Sequence, residues 1–149
     1  MNLSKNFTLE EFTKSPTAIR MGIPNIPSEK HIKNMETLCK LVLQPLRDHY
    51  GKPIHINSGY RGEFLNARLM GSDSSQHCEG EAADIDTLKD NADLFYYIRD
   101  HLEFDQIIWE YGDKNNPDWV HVSYKQHNRM QCLRTVRQDD GSVRYEACV

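Results

Sequence analysis

The chain has 149 residues, of which 38% are hydrophobic and 27% are charged. This length and composition are typical of one globular domain, and they exclude a disordered or fibrous protein. The formal net charge of −4 argues against a protein that mainly binds nucleic acid, because such a protein needs a basic face.

The N-terminus lacks the apolar run of a signal peptide. No stretch of sequence approaches the roughly 20 apolar residues that a membrane span needs. We therefore expect a soluble protein that is cytoplasmic at synthesis and has no membrane partner.

The four cysteines show no CxxC spacing. We expect reduced thiols, although Cys132 and Cys148 could also face each other across a terminal hairpin.

The first part of the chain carries mainly helix signals. Thr8 and Glu11 have the spacing of a capping box, which predicts a short helix directly after Thr8. Prolines and glycine predict a loop over residues 16–27. Ser28 is a good N-cap for a long amphipathic helix, which Pro45 interrupts or kinks near its end.

The later part of the chain carries mainly strand signals. Strands are predicted over residues 53–57, 82–86, 105–111 and 119–124, helices over 63–70 and 91–102, and a hairpin over 131–147 that turns at Asp140-Gly141. This pattern predicts an α+β fold, with a small antiparallel sheet flanked by helices. We expect a single domain over residues 1–149, with a core of about 7–124 and the C-terminal hairpin beyond it.

Two of the seven histidines stand beside residues that suit a metal site. His77 is followed by small residues and then by Asp84, which lies in an apolar strand where an unpaired carboxylate is unfavourable. His121 lies in the middle of another strand. Two imidazoles and one carboxylate provide three ligands for one tetrahedral Zn²⁺ ion and leave a fourth position for water. The alternative is a set of satisfied polar residues beside the core.

The acidic residues are concentrated around these positions. The stretch from Asp73 to Asp118 holds 13 acidic and 3 basic residues, a net charge of −10, so the rest of the chain carries +6. Most of these acids are expected to lie in solvated helices and loops. A few would surround a bound cation.

Three sequence blocks, in this order, resemble those of the zinc D-alanyl-D-alanine carboxypeptidase-like peptidases. They are Ser58-Gly59-Tyr60-Arg61, then Ser75-Gln76-His77 followed by Gly80 and Ala82-Ala83-Asp84, and lastly Trp119-Val120-His121-Val122-Ser123. This M15 group includes peptidoglycan carboxypeptidases and phage endolysins. The resemblance spans about residues 7–124. It implies a Hedgehog/DD-peptidase fold and one zinc ion held by His77, Asp84 and His121.

The resemblance also implies an activity and roles for further residues. The chain would hydrolyse peptide bonds in peptidoglycan stem peptides, as a D,D-carboxypeptidase or an endopeptidase. Arg61 would hold a substrate carboxylate or the oxyanion of the tetrahedral intermediate. Ser75 and Gln76 would orient substrate or ligand, and Tyr60 would form a wall of the cleft.

The general base is less clear, because the chain departs from the family pattern. Many members carry Glu three residues before the last ligand, and others carry His two residues before it; here these positions hold Asp118 and Trp119. Asp118 is the first candidate base, although a regular strand would point it away from the face of His121. Glu110, at the end of the preceding strand, is the second candidate.

This departure leaves a second interpretation of the chain. It would be a non-catalytic zinc-binding domain, used as a binding or assembly module. On the first interpretation, the partners are peptidoglycan peptides and the protein is a monomer that binds no nucleic acid. The chain shows no wall-binding repeat, so by analogy it is compatible with a phage-encoded catalytic module that reaches the cell wall after release through a separate pore.

Overall fold

The N-terminal part of the protein is a short hairpin followed by helices, in a computed structural model that describes residues 1–148. Its elements are β1 (Asn2–Ser4), β2 (Phe7–Thr8), α1 (Leu9–Thr13), α2 (Pro16–Met21), α3 (Glu29–Leu38), a π-helical segment (Cys39–Leu43) and α4 (Gln44–Tyr50). The Thr8 side chain accepts a hydrogen bond from the Glu11 backbone amide, and that of Ser28 accepts one from the His31 amide. Both predicted helix starts are therefore confirmed.

Helix α2 corrects the prediction of a loop over residues 16–27. Ser15 caps this helix through a hydrogen bond from the Ala18 amide, and Pro16 occupies its first turn. Proline is favoured there because the first amides of a helix have no intrahelical acceptor. Gly22, with a φ of 66°, ends the helix in the left-handed conformation.

The long helix predicted after Ser28 forms, with a local widening. Helices α3 and α4 are continuous through the π-helical segment, and Pro45 follows directly in the first turn of α4. Proline has no amide hydrogen to donate to the preceding turn, and a π turn changes the hydrogen-bond spacing at that point. Gly51 ends the helix at a φ of 75°.

The remaining elements build one six-stranded sheet. They are β3 (His55–Ser58), α5 (Glu63–Arg68), a 3₁₀-helix (Gln76–Glu79), β4 (Ala82–Asp86), α6 (Asn91–His101), β5 (Gln106–Glu110), β6 (Trp119–Ser123), β7 (Gln131–Arg137) and β8 (Val143–Ala147). The strand order is β3-β4-β6-β5-β7-β8. The fold is thus α+β with a mostly antiparallel sheet, as the sequence predicts.

One strand pair departs from the predicted antiparallel sheet, because β7 runs parallel to β5. β6 ends beside the first residue of β5, because these two strands are antiparallel. The segment that follows β6 crosses the end of the sheet at the start of β5 and then enters β7. Asp105 holds this crossing segment, since its carboxylate accepts hydrogen bonds from the backbone amide and the guanidinium of Arg129. β7 therefore starts beside the start of β5 and runs in the same direction.

Strand alternation separates the core from the polar face of the sheet. Ala83 and Ile85 are fully buried on the face that packs against the long helix and α6, whereas Asp84 between them lies on the opposite face. Each fully buried aliphatic side chain of this core stabilises the fold by about 1.5–3 kcal/mol. The polar face is thereby left available for a site.

No helix among the described residues is long and apolar enough to cross a membrane.

The four cysteines are free thiols. Cys132 and Cys148 face each other across β7 and the end of β8, with a backbone hydrogen bond of 2.9 Å from the Cys148 amide to the Cys132 carbonyl.

Candidate active site

His77, Asp84 and His121 converge on the polar face of the sheet. One potential ligand atom from each residue lies within 4.8 Å of the others. Asp84 Oδ1 is 3.1 Å from His121 Nδ1 and 3.5 Å from His77 Nε2. The three side chains are largely buried, with Asp84 the most exposed at 17%. The structure thus brings together the three residues for which the sequence predicts metal binding.

Strand pairing and a short helix position these side chains. Asp84 of β4 lies directly opposite His121 of β6 in an antiparallel ladder. His77 lies on the 3₁₀-helix, which Ser75 caps by accepting a hydrogen bond from the His77 amide. Gly80 ends this helix at a φ of 74°, where a Cβ would lie 2.5 Å from the His31 carbonyl oxygen. Glycine is therefore required for the chain to turn from His77 into β4.

A backbone carbonyl fixes the orientation of the His77 ring. His77 Nδ1 is 2.7 Å from the carbonyl oxygen of Gly59. A carbonyl can only accept, so Nδ1 carries a proton, and Nε2, which faces Asp84, is the ring nitrogen left to bind a metal. Gly59 reaches this place because it has no side chain: a Cβ there would lie 2.7 Å from atoms of Phe12. This contact explains the glycine of the Ser58-Gly59-Tyr60-Arg61 block.

The electrostatics of the group suit a divalent cation. Burial raises the pKa of Asp84, but the proximity of His77 and a hydrogen bond with His121 outweigh burial and hold the pKa well below its usual value. Asp84 is therefore an ionised carboxylate between two imidazoles. One carboxylate oxygen and two imidazole nitrogens form a donor set that Zn²⁺ accepts. The residues present fit such an ion.

These residues lie in an open cleft of about 460 Å³. Its lining also includes Arg61, Ser75, Gln76, Gln106, Ile108, Glu110, Trp119, Arg129 and Tyr145. The cleft therefore gathers four of the further site residues that the sequence predicts: Arg61, Ser75, Gln76 and Glu110. The cleft leaves the His77–Asp84–His121 group accessible from solvent.

Glu110 is the buried acid of this cleft. Its exposure is 9%, and its Oε2 accepts a hydrogen bond of 2.8 Å from the Thr135 hydroxyl. Burial raises the pKa of Glu110, the Thr135 hydrogen bond opposes that shift, and the negative charge of Asp84 adds to it. A carboxylate with a raised pKa is a stronger base.

Asp118 and Tyr60 lie elsewhere. Asp118 is exposed and is not among the residues that line the cleft, because the strand alternation that directs Trp119 and His121 into the cleft begins after it. Its backbone amide donates to the Glu110 carbonyl, so the two acids are neighbours only through the backbone. Tyr60 is 7% exposed, and its ring packs 5.0 Å from that of His31 instead of forming a cleft wall.

Arg61 and Arg129 are the two arginines of the cleft, and they differ in their partners. Arg129 binds the buried Asp105 through its guanidinium. Arg61 forms no ion pair among residues 1–148, and its buried Nε has no hydrogen-bond partner there. Arg61 is therefore the cation of the cleft that is available to an anionic ligand.

Sequence reasoning missed the contribution of the C-terminal hairpin to the cleft. Thr135 of β7 contacts Glu110, and Tyr145 of β8 lines the cleft. The turn signal at Asp140-Gly141 predicts the hairpin but not its neighbour in the sheet. Only an expectation that β7 pairs with β5 would have placed Thr135 beside Glu110.

Comparison with known proteins agrees with this geometry. A sequence model of the family described as peptidase M15 matches residues 5–123. The matched segment contains His77, Asp84, Glu110 and His121, and it ends with β6. No curated protein sequence matches the chain. Because the family match covers most of the chain, the protein belongs to the peptidase M15 family of metallopeptidases.

Proposed function

We propose that the protein is a zinc peptidase that hydrolyses peptide bonds in peptidoglycan stem peptides, as a D,D-carboxypeptidase or an endopeptidase. The observation that carries this proposal is the presence of the His77–Asp84–His121 group, a buried acid and an unpaired arginine in one open cleft. The Hedgehog/DD-peptidase fold is proposed together with this function. The family match and the mostly antiparallel sheet support it.

The proposed reaction uses a bound zinc ion for activation and the buried Glu110 for proton transfer. His77 Nε2, a carboxylate oxygen of Asp84 and a ring nitrogen of His121 would hold Zn²⁺. When bound, Zn²⁺ supplies Lewis-acid activation of water and of the scissile carbonyl. Glu110 acts as the general base: it takes a proton from the attacking water and passes it to the departing amine nitrogen. Its position in the cleft favours Glu110 over Asp118 for this role.

Arg61 would bind the negative charge of the substrate. A guanidinium presents a fork of N–H donors that matches a carboxylate. Because no acid of the described chain pairs with Arg61, binding a substrate carboxylate breaks no internal ion pair. A stem peptide that ends in a free carboxylate would therefore be held at this end of the cleft, with its last peptide bond near the metal-binding group.

A digest of defined muropeptides tests the function. The zinc-loaded protein is incubated with tetra- and pentapeptide stems and with cross-linked dimers, and the products are identified by mass spectrometry. Loss of a terminal amino acid identifies a carboxypeptidase, and cleavage of the cross-link identifies an endopeptidase. Chelation should stop either reaction, and added Zn²⁺ should restore it.

The same digest tests the non-catalytic alternative. A protein that binds one zinc ion but leaves every stem peptide intact would be a zinc-binding module rather than a peptidase. The open cleft and the buried Glu110 favour the enzyme, because a binding module has no need of a basic carboxylate buried beside its metal.

A further inference from the structure

We propose that the C-terminal hairpin, formed by β7 and β8, is part of the active site and that its Thr135 is the positioning residue of Glu110. The hairpin lies outside the family match, which ends at residue 123. This inference rests on the proposed role of Glu110 as the general base.

The sheet register brings Thr135 to Glu110. β7 pairs with β5 in parallel register, with Trp109 beside Arg134. The next residues along the two strands, Glu110 and Thr135, are therefore neighbours. The Thr135 hydroxyl lies 2.8 Å from Glu110 Oε2, and Thr135 is only 3% exposed. The contact is thus a buried hydrogen bond between adjacent strands.

The chemistry of the pair defines the orientation of the carboxylate. An ionised carboxylate only accepts, so the Thr135 hydroxyl donates its hydrogen to Oε2. Among residues 1–148, no other side chain donates a hydrogen bond to Glu110. Oε1 is then free to receive a proton from water in the cleft. A β-branched side chain in a strand has few rotamers, so Thr135 holds its hydroxyl in a fixed direction.

Strand β8 flanks Thr135 on the side away from β5. β8 pairs with β7 and places Tyr145 opposite Thr135, and Tyr145 itself lines the cleft. Thr135 thus lies between the strand that carries Glu110 and the outer strand. The family segment alone, without the hairpin, would leave Oε2 without this donor.

Three variants test the inference. Thr135→Val has nearly the same shape but lacks the hydroxyl, Thr135→Ser keeps the hydroxyl, and Ser142→Ala removes an exposed hydroxyl from the turn of the same hairpin as a control. Rates are measured on the stem peptide that the wild-type protein cleaves, and zinc content and melting temperature are measured in parallel.

We expect Thr135→Val to lower kcat about 10- to 100-fold, the range typical of residues that orient a functional group, while KM stays within about twofold. Thr135→Ser should recover most of the rate, and Ser142→Ala should match the wild type. Equal zinc content in all variants would show that the metal ligands are intact. Wild-type kcat in Thr135→Val, or a lower rate that Thr135→Ser does not rescue, would overturn the inference.

Crystal structures of wild type and Thr135→Val separate this inference from the proposed function. The Glu110 carboxylate should turn away from its wild-type position in the variant. If no stem peptide is cleaved by the wild type but the carboxylate still turns, the proposed function fails and the positioning role stands. If the carboxylate keeps its position, the positioning role is contradicted.

Discussion

Asp84 and His121 face each other across the antiparallel pair β4–β6, with Asp84 Oδ1 3.1 Å from His121 Nδ1. This places the carboxylate and one imidazole of the proposed metal site on two central strands of the sheet rather than on loops. Rigid strands hold ligands more precisely than loops do. His77, the third proposed ligand, lies on a short helix that Gly80 links to β4.

The first prediction concerns the metal. We expect the protein to bind one Zn²⁺ ion and Asp84→Asn to lose it, because the amide lacks the negative charge that the ion requires. Metal content after dialysis measures this directly. Excess Zn²⁺ should also raise the melting temperature of the wild type, since a ligand at 100 times its Kd stabilises the folded state by about 2.7 kcal/mol. Asp118→Asn is the matched control; unchanged zinc in Asp84→Asn would exclude this residue as a ligand.

The second prediction distinguishes the two acids. Glu110→Gln should lower kcat by about 10²- to 10⁴-fold, the usual contribution of a general base, with zinc retained. Asp118→Asn should keep kcat within about twofold, because Asp118 is exposed outside the cleft. Steady-state kinetics on one stem peptide measure both variants. The opposite ranking would assign the base to Asp118.

The third prediction concerns Arg61. Arg61→Gln should raise KM about 10-fold or more for peptides with a free C-terminal carboxylate, because a charge-assisted hydrogen bond contributes about 1.5–3 kcal/mol. Peptides with an amidated C-terminus should show little change. Arg68→Gln, on the nearby helix α5, is the control. An equal effect on both peptide types would assign Arg61 to the oxyanion instead of the carboxylate.

The fourth prediction uses the buried Asp105. Burial raises the pKa of Asp105, but hydrogen bonds from Arg129 outweigh burial and lower it below its usual value. A lowered folded-state pKa stabilises the fold above the unfolded pKa of about 3.9, and this stabilisation disappears as the pH falls through the folded-state pKa. Asp105→Asn should therefore lower the free energy of unfolding by about 1–3 kcal/mol at pH 7.

The difference between Asp105→Asn and wild type should begin to shrink below about pH 4, where Asp105 of the unfolded chain takes up a proton while the folded carboxylate stays ionised. Urea unfolding of both proteins from pH 7 to pH 3 measures the difference between their free energies of unfolding. Both proteins contain His77, Asp84 and His121, so the effect of acid on these residues cancels in the difference. Asp139→Asn, at an exposed acid, serves as the control. A constant difference across this range would show that the carboxylate charge does not stabilise the fold.

The correctly predicted elements are those that depend on residues close together in the sequence. Caps at Thr8 and Ser28 and the alternation around Asp84 and His121 depend on neighbours along the chain, so the sequence reveals them. Helix α2 differs from the predicted loop because proline suits both a loop and the first turn of a helix, and the Ser15 cap before Pro16 favours the helix.

The remaining parts of the site depend on contacts between distant segments. The parallel pairing of β5 and β7, the hydrogen bond from Thr135 to Glu110 and that from His77 to Gly59 each join residues far apart in sequence. No periodicity records such contacts. The grouping of His77, Asp84 and His121 was predictable because these residue types are informative by themselves, whereas a threonine in a strand is not.

The contact between Gly59 and helix α1 links His77, a proposed metal ligand, to the packing of the N-terminal segment. Gly59 lies against Phe12, and the backbone amide of the next residue, Tyr60, donates a 2.7 Å hydrogen bond to the Phe12 carbonyl. The Gly59 carbonyl in turn accepts a hydrogen bond from His77 Nδ1. The carbonyl that orients the His77 ring is thus held in place by contacts with α1. We therefore expect a variant that loosens the packing of Phe12 to weaken zinc binding as well as the fold, although Phe12 touches none of the three proposed ligands.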